Sequence, residues 1–247
     1  MIPTSLSRRL GLAAASAALL CISGVAQAQV LISQEGALAG IPAIGDSPGF
    51  PITIGKSGSY KLSSDLTVTD PTKPGIVIAV SDVTIDLNGH TISGPLYCVN
   101  GGSWPGSCTG GNPGLNWVWG IDASMGAVLS ARTIRNGTIR GFSGGGISLS
   151  NVRIEDMNIY SNGGDGIVAS DGMLLRVNVF NNLGWGINLQ GYSSVIDSLV
   201  TTNTRGGMKL ANTVLKRGNL VSNNNYYQIY GGSSAGSSGN VCNNVAC

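Results

Sequence analysis

Charge is scarce in this chain. Asp, Glu, Lys and Arg make up 11% of its 247 residues, too few for a disordered polyelectrolyte. There is one histidine, His90, which argues against a Cys/His zinc site and leaves copper poorly served. Beyond residue 28 no stretch approaches 18 continuous apolar residues, so no membrane insertion is expected. Asparagine is missing before position 88, yet 21 occur from Asn88 onward, alongside 38 glycines in all. Both residues favour turns over helix interiors. An all-β protein rich in corners is the expected class, and 42% apolar residues are enough to fill a core.

Residues 1–28 read as a secretory signal peptide: Arg8-Arg9, an apolar run from Leu10 to Val25, then Ala26-Gln27-Ala28. The expected location is secreted or periplasmic. Removing the signal takes two of the 14 basic residues, leaving 12 against 12 acidic ones. A neutral chain gives no bulk attraction to nucleic acid, so no such partner is expected. Four cysteines remain, and in an exported protein an even number reads as disulfides, here the local pairs Cys98 with Cys108 and Cys242 with Cys247.

The strongest signal is an internal repeat. Ile159 to Ile167 aligns with Val179 to Ile187 as aliphatic, two residues, Asn, three residues, Gly, aliphatic. Val200 to Met208 repeats it, and Ile139 to Ile147 carries Phe142 in the Asn place. The spacing is 20 or 21 residues, and looser copies surround Gly75-Ile76, Gly120-Ile121 and Gln228-Ile229. A unit this short cannot bury its apolar face alone, whereas stacked turns build one continuous core. The expected fold is a single-stranded right-handed parallel β-helix, a solenoid of about seven turns. Ile147, Ile167, Ile187 and Met208 should form one buried stack, and Ile139, Ile159, Val179 and Val200 another. Asn162, Asn182, Asn203 and Asn223 should line one corner.

Residues 29–55 lack the repeat and contain Pro42, Pro48 and Pro51. They are expected to be the N-terminal cap, which protects an open edge. The β-helix proper is placed at 56–230, with an inserted loop at 95–116 and a C-terminal cap at 231–247. The loop holds Trp104, with Trp117 and Trp119 at its exit, and long loops on rigid scaffolds tend to carry binding residues.

Val83-Thr84-Ile85-Asp86-Leu87-Asn88-Gly89-His90-Thr91-Ile92-Ser93-Gly94, after Gly58-Ser59-Tyr60-Lys61-Leu62, resembles the first turn of many secreted right-handed β-helix proteins of the pectin-lyase-like superfamily. The resemblance runs from about Ile52 to Ile229. It implies a substrate class, since many relatives bind, cleave or epimerise acidic polysaccharides such as pectin or alginate; fold alone does not fix a reaction. The family's catalytic signatures are largely missing. Gly164-Asp165-Gly166-Ile167 is only loosely similar to one hydrolase motif, no Asp-Asp pair exists, and Glu155-Asp156 is the only adjacent acidic pair. A polysaccharide- or surface-binding protein without catalysis is therefore favoured over a polysaccharide lyase or glycoside hydrolase. No cofactor is expected, calcium being the one ion the resemblance leaves open.

Two columns of candidates follow from the period. Asp86, Arg135, Glu155, Arg176, Asp197 and Lys216 each follow an aliphatic residue and alternate in sign, so stacking would put unlike charges side by side. The catalytic version makes Arg176 or Arg135 a base with Glu155 orienting it, and Asp165 is the further catalytic candidate. The second column precedes each repeating Gly: Trp119, Gly145, Asp165 and Trp185, with Arg205 one place earlier in its turn. Trp119, Asp165, Trp185 and Arg205 are the expected substrate-binding residues, with Trp185 an exposed stacking platform for a sugar ring.

Overall fold

A computed structural model of the chain describes residues 29–99, 107–110, 117–123, 129–233, 237–243 and 245–247. The expected signal peptide at 1–28 and Trp104 lie outside the described residues, as does most of the inserted loop.

The chain is a parallel β-solenoid. One side is an eight-stranded parallel sheet made of Ile52–Ile54, Ile76–Ile78, Trp119–Ala123, Gly145–Ser150, Asp165–Ser170, Trp185–Gln190, Gly206–Leu210 and Ile229–Gly231. A fifteen-stranded sheet forms the rest of the wall. Among the described residues helix is confined to Gln34–Ala39 and the 3-10 turn Pro42–Ile44, and none is long and apolar enough to cross a membrane.

Strand periodicity decides what is inside. On each strand alternate residues point inward, and the register lines up Ile52, Ile76, Ile121, Ile147, Ile167, Ile187, Met208 and Ile229 turn upon turn. All but Ile229 are fully buried. Ile92, Ile139, Ile159, Val179, Val200 and Val221 form a second buried stack on the other sheet. Both stacks agree with the repeat. The eight strands make about eight turns, one more than the sequence suggested, because Ile52–Ile54 falls within the segment taken as a cap and yet pairs with Ile76–Ile78. Val30–Ile32 likewise pairs with Gly58–Leu62.

Three corner columns turn the chain, each built on left-handed backbone. Asn151 and Asp171 occupy one, Asn136, Asp156, Arg176 and Asp197 a second, and Ser161, Asn181, Thr202 and Asn223 a third, all with φ between 49° and 60°. Asn and Asp tolerate this conformation better than other residues with a Cβ.

Behind the third corner runs a ladder of buried amides. Asn162 Nδ2 donates to Asn182 Oδ1 at 2.9 Å, Asn182 Nδ2 to Asn203 Oδ1 at 3.0 Å, and Asn203 Nδ2 to Asn224 Oδ1 at 3.0 Å. Each Oδ1 also accepts the backbone N–H of the preceding Asn. Phe142 N–H donates to Asn162 at the start, and Asn224 donates to Gln228 Oε1 at the end. The sequence had placed Asn223 here. Asn223 instead takes the left-handed corner and donates its N–H to Asn243, leaving the inward position to its neighbour.

The inserted loop also differs from expectation. Tyr97–Val99 and Ser107–Thr109 form a small antiparallel hairpin closed by the Cys98–Cys108 disulfide. It packs through Leu96 and the disulfide onto Leu183, at the corner preceding Trp185. The second expected disulfide, Cys242–Cys247, closes the C-terminal strand pair. Both bridges fit an oxidising compartment.

Breaking the ladder should be far more damaging than altering the corner beside it. Asn203→Ala strands the Asn182 N–H in the core and removes three donated bonds, so chemical denaturation should show a loss of about 2–4 kcal/mol. Asn223→Ala, which only loses a favourable left-handed residue, should cost about 1 kcal/mol. Equal losses would contradict the assignment.

Candidate functional site

The outward column of the eight-stranded sheet runs Trp119, Gly145, Asp165, then Trp185 and Gly206. It stands three residues after each ladder position. Turns about 4.8 Å apart leave no room for a bulky side chain at every level, and the column alternates accordingly. A Cβ on Gly206 would lie 2.4 Å from Trp185 Cζ3, and one on Gly145 would lie 2.3 Å from Trp119 Cζ3. Each indole thus covers the glycine of the next turn.

This overturns one expectation. Trp185 is only 6% exposed, because Gly206 lets its ring lie down and Tyr227 covers it. The Trp185 and Tyr227 rings stack at 6.0 Å with 17° between planes, and Tyr230 leans on both at 6.2 and 5.4 Å. The exposed aromatics of this end are Tyr226, Tyr227 and Tyr230, each more than half exposed. Trp185, Arg205, Tyr226 and Tyr227 line a cavity of about 350 Å³. The buried Trp185 Nε1–H has no hydrogen-bond partner. The sequence contained Tyr226-Tyr227 but offered no clue that Tyr230, one strand later, folds back onto the same indole.

Asp165 sits one turn from Trp185. Its Oδ1 accepts the Trp185 backbone N–H at 2.8 Å and its Oδ2 accepts Asn188 Nδ2 at 3.0 Å. Burial raises its pKa above the ordinary carboxylate value, an effect opposed by these two hydrogen bonds and by the charges of Arg205 and Lys209. Both cations are exposed. Lys209 was not among the sequence candidates; it shares the outward register position of Asn188, three residues along from the aromatic column. The structure therefore gathers Asp165, Trp185 and Arg205 around one end of the sheet, with Trp119 two turns away.

The other candidates are not brought here. Arg135 and Glu155 lie on the fifteen-stranded sheet, where Arg135 Nε meets Asp86 Oδ2 at 3.2 Å and Glu155 Oε2 meets Arg153 Nη2 at 2.7 Å. The alternating charge column breaks after Glu155. Its register partner in the next turn is Leu175, while Arg176 takes the corner and grips Asp156 with two bonds of 2.7 and 2.8 Å. That pairing raises the Arg176 pKa and lowers that of Asp156, the reverse of what a basic catalyst needs. Lys216 turns inward and is buried. His90 meets Asp65 at 3.1 Å on the corner after Asn88. Among the described residues no group of three acids, histidines or cysteines is arranged to hold a metal ion.

Comparison with known proteins gives likeness in structure only. The chain is similar to the A-module of a mannuronan C-5 epimerase of Azotobacter vinelandii, with 12% identity, a TM-score of 0.47, and coverage of 87% of this chain and 78% of that one. It is also similar to a mutant periplasmic alginate epimerase, with 15% identity, a TM-score of 0.37, and coverage of 79% of this chain and 53% of that one. The chain thus spans about half the length of the latter. No family model and no curated protein matches.

Two outcomes follow from this geometry. Trp185→Ala should cost about 3–5 kcal/mol in denaturant unfolding, as expected for a buried indole; an unchanged midpoint would mean that the ring is not packed as described. For Asp165, a pKa raised by burial makes the native state hold its proton more tightly than the unfolded chain does. Stability should therefore fall as pH rises from the ordinary carboxylate range through the raised value. Asp165→Asn should flatten that slope, and identical pH profiles for the two proteins would contradict the assignment.

Proposed function

We propose that the protein binds an acidic polysaccharide along the outer face of the eight-stranded sheet, by recognition and without catalysis. The observation that carries this reading is the juxtaposition of an aromatic cluster with two cations. Tyr227 and Tyr230, backed by the buried Trp185, offer apolar ring surface, and a pyranose has apolar C–H faces that pack on such rings. Arg205 and Lys209 stand beside them, suited to the carboxylates that recur along a uronate polymer. The hairpin at Cys98–Cys108, seated on Leu183, walls the face on the side of the ladder corner. A location outside the cytoplasm, where such polymers occur, agrees with the two disulfides.

A second reading, a polysaccharide lyase or glycoside hydrolase, draws on Asp165 alone. A carboxyl whose pKa is raised by burial is shifted in the direction that suits donation to a glycosidic oxygen, but hydrolysis by two carboxylates needs a partner.

Isothermal titration against polygalacturonate and alginate oligomers separates the readings. Binding should weaken about tenfold or more in the Arg205→Ala/Lys209→Ala double variant and weaken further with added salt. A neutral glucan should bind much less. Equal binding of neutral and acidic chains would contradict recognition of the carboxylate, and formation of unsaturated products or new reducing ends would replace binding by catalysis.

A further inference from the structure

One charge in the molecule has no business in its position. Arg132 occupies an inward column between Val83 and Val152, both buried, and is itself 2% exposed. Its Nη2 donates to the backbone carbonyls of Leu129, at 3.1 Å, and Ser150. Nε and Nη1 have no partner and are sealed from solvent. No carboxylate among the described residues forms an ion pair with it. A buried cation whose donors are left over is costly, and elsewhere in proteins such a group is paired. The burial also lowers its pKa, although a guanidinium keeps its proton regardless.

What lies above it is a polar depression rather than packed hydrocarbon. A cavity of about 170 Å³ opens between the turns on the outer face of the eight-stranded sheet, with Arg132 in its lining together with Asp122, Ser148, Ser150 and Ser170. Asp122 and Ser148 share an outward column, and Ser150 and Ser170 another. The set is a cation, three hydroxyls and a carboxyl, on a face whose only apolar contributions are small side chains and Leu149. Burial raises the pKa of Asp122, with hydrogen bonds from Ala123 and Ser148 working against the rise.

We propose that this depression is a second binding site, for a hydroxylated carboxylate, with Arg132 receiving the carboxylate and Asp122 and the serines receiving the hydroxyls. A rotation at the end of the Arg132 side chain brings its spare N–H groups to an oxygen seated in the depression. The carboxylate then supplies the negative charge that the fold omits, and the serines exchange bonds with hydroxyls at close to equal energy. The size fits a single sugar acid. Two sources share this chemistry: a free sugar acid, and one residue of a polymer that lies on the same face. The site rests on Arg132 and its cavity, not on the aromatic end, and stands or falls separately from the reading above.

The test uses the mature chain with the aromatic end disabled by Tyr227→Ala and Arg205→Ala, titrated with sodium glucuronate. One-to-one saturable binding is expected, with glucose and sodium sulfate each at least tenfold weaker. Adding Arg132→Gln should lower glucuronate affinity at least tenfold. Should that variant fail to fold, Ser150→Asp tests the same point, since a carboxylate built into the lining should compete with glucuronate, abolishing binding while keeping or raising the melting temperature. An alginate oligomer that binds this variant background more tightly than glucuronate identifies the polymer as source, and equal or weaker binding identifies the free acid. Glucuronate affinity unchanged by Arg132→Gln or Ser150→Asp, or sulfate binding as tightly as glucuronate, would overturn the proposal.

Discussion

The side-chain amides of Asn162, Asn182, Asn203 and Asn224 are buried and bond from turn to turn along one corner of the solenoid, ending on Gln228. In a fold with no side chain crossing from end to end, something must hold each turn directly over the one before. Main-chain ladders do so along the strands, but parallel strands can slip by one residue, and a slip of one turns every side chain around. A buried amide cannot slip. Its oxygen accepts from both the side chain and the backbone of the preceding turn, while its nitrogen donates to carbonyls at the corner. Any shift leaves several polar groups unpaired in a dry interior, at about 1–3 kcal/mol each.

Fixing the corner fixes the site. Counting three residues on from Phe142, Asn162, Asn182 and Asn203 gives Gly145, Asp165, Trp185 and Gly206, the column on which the candidate binding face is built. Large and small residues must then alternate along the axis, because one turn cannot hold two stacked indoles. Trp185 is consequently half wall and half floor: its ring supports the exposed tyrosines and closes over Gly206. Because Trp185 is buried and supports the fold, the candidate binding face is better tested at Arg205, Lys209 and the tyrosines than at the tryptophan.

The architecture was legible in the sequence because a repeat makes each turn a copy of its neighbours. Both aliphatic stacks and both disulfides followed from spacing alone. The errors came from register at single positions. A run of three asparagines at Asn223, Asn224 and Asn225 hides which one points inward, although a step of 21 from Asn203 reaches Asn224. A step of 20 from Glu155 reaches Leu175 and not Arg176, so the alternating charges were a coincidence of sign across three columns. Burial of Trp185 and of Arg132 was not legible in the same way. The first depends on a glycine one turn away and tyrosines beyond it, and the second places a charge where every neighbouring turn has an apolar residue or glycine.

By holding every turn in register, the ladder aligns the candidate binding face parallel to the solenoid axis. A crystal structure of the protein with an alginate or polygalacturonate oligomer tests it most directly. Sugar rings are expected to follow the axis across Tyr227 and Tyr230, with carboxylates on Arg205 and Lys209, and with the amide ladder beneath unchanged. An oligomer seated on the fifteen-stranded sheet, or one crossing a single turn at right angles to the axis, would contradict it.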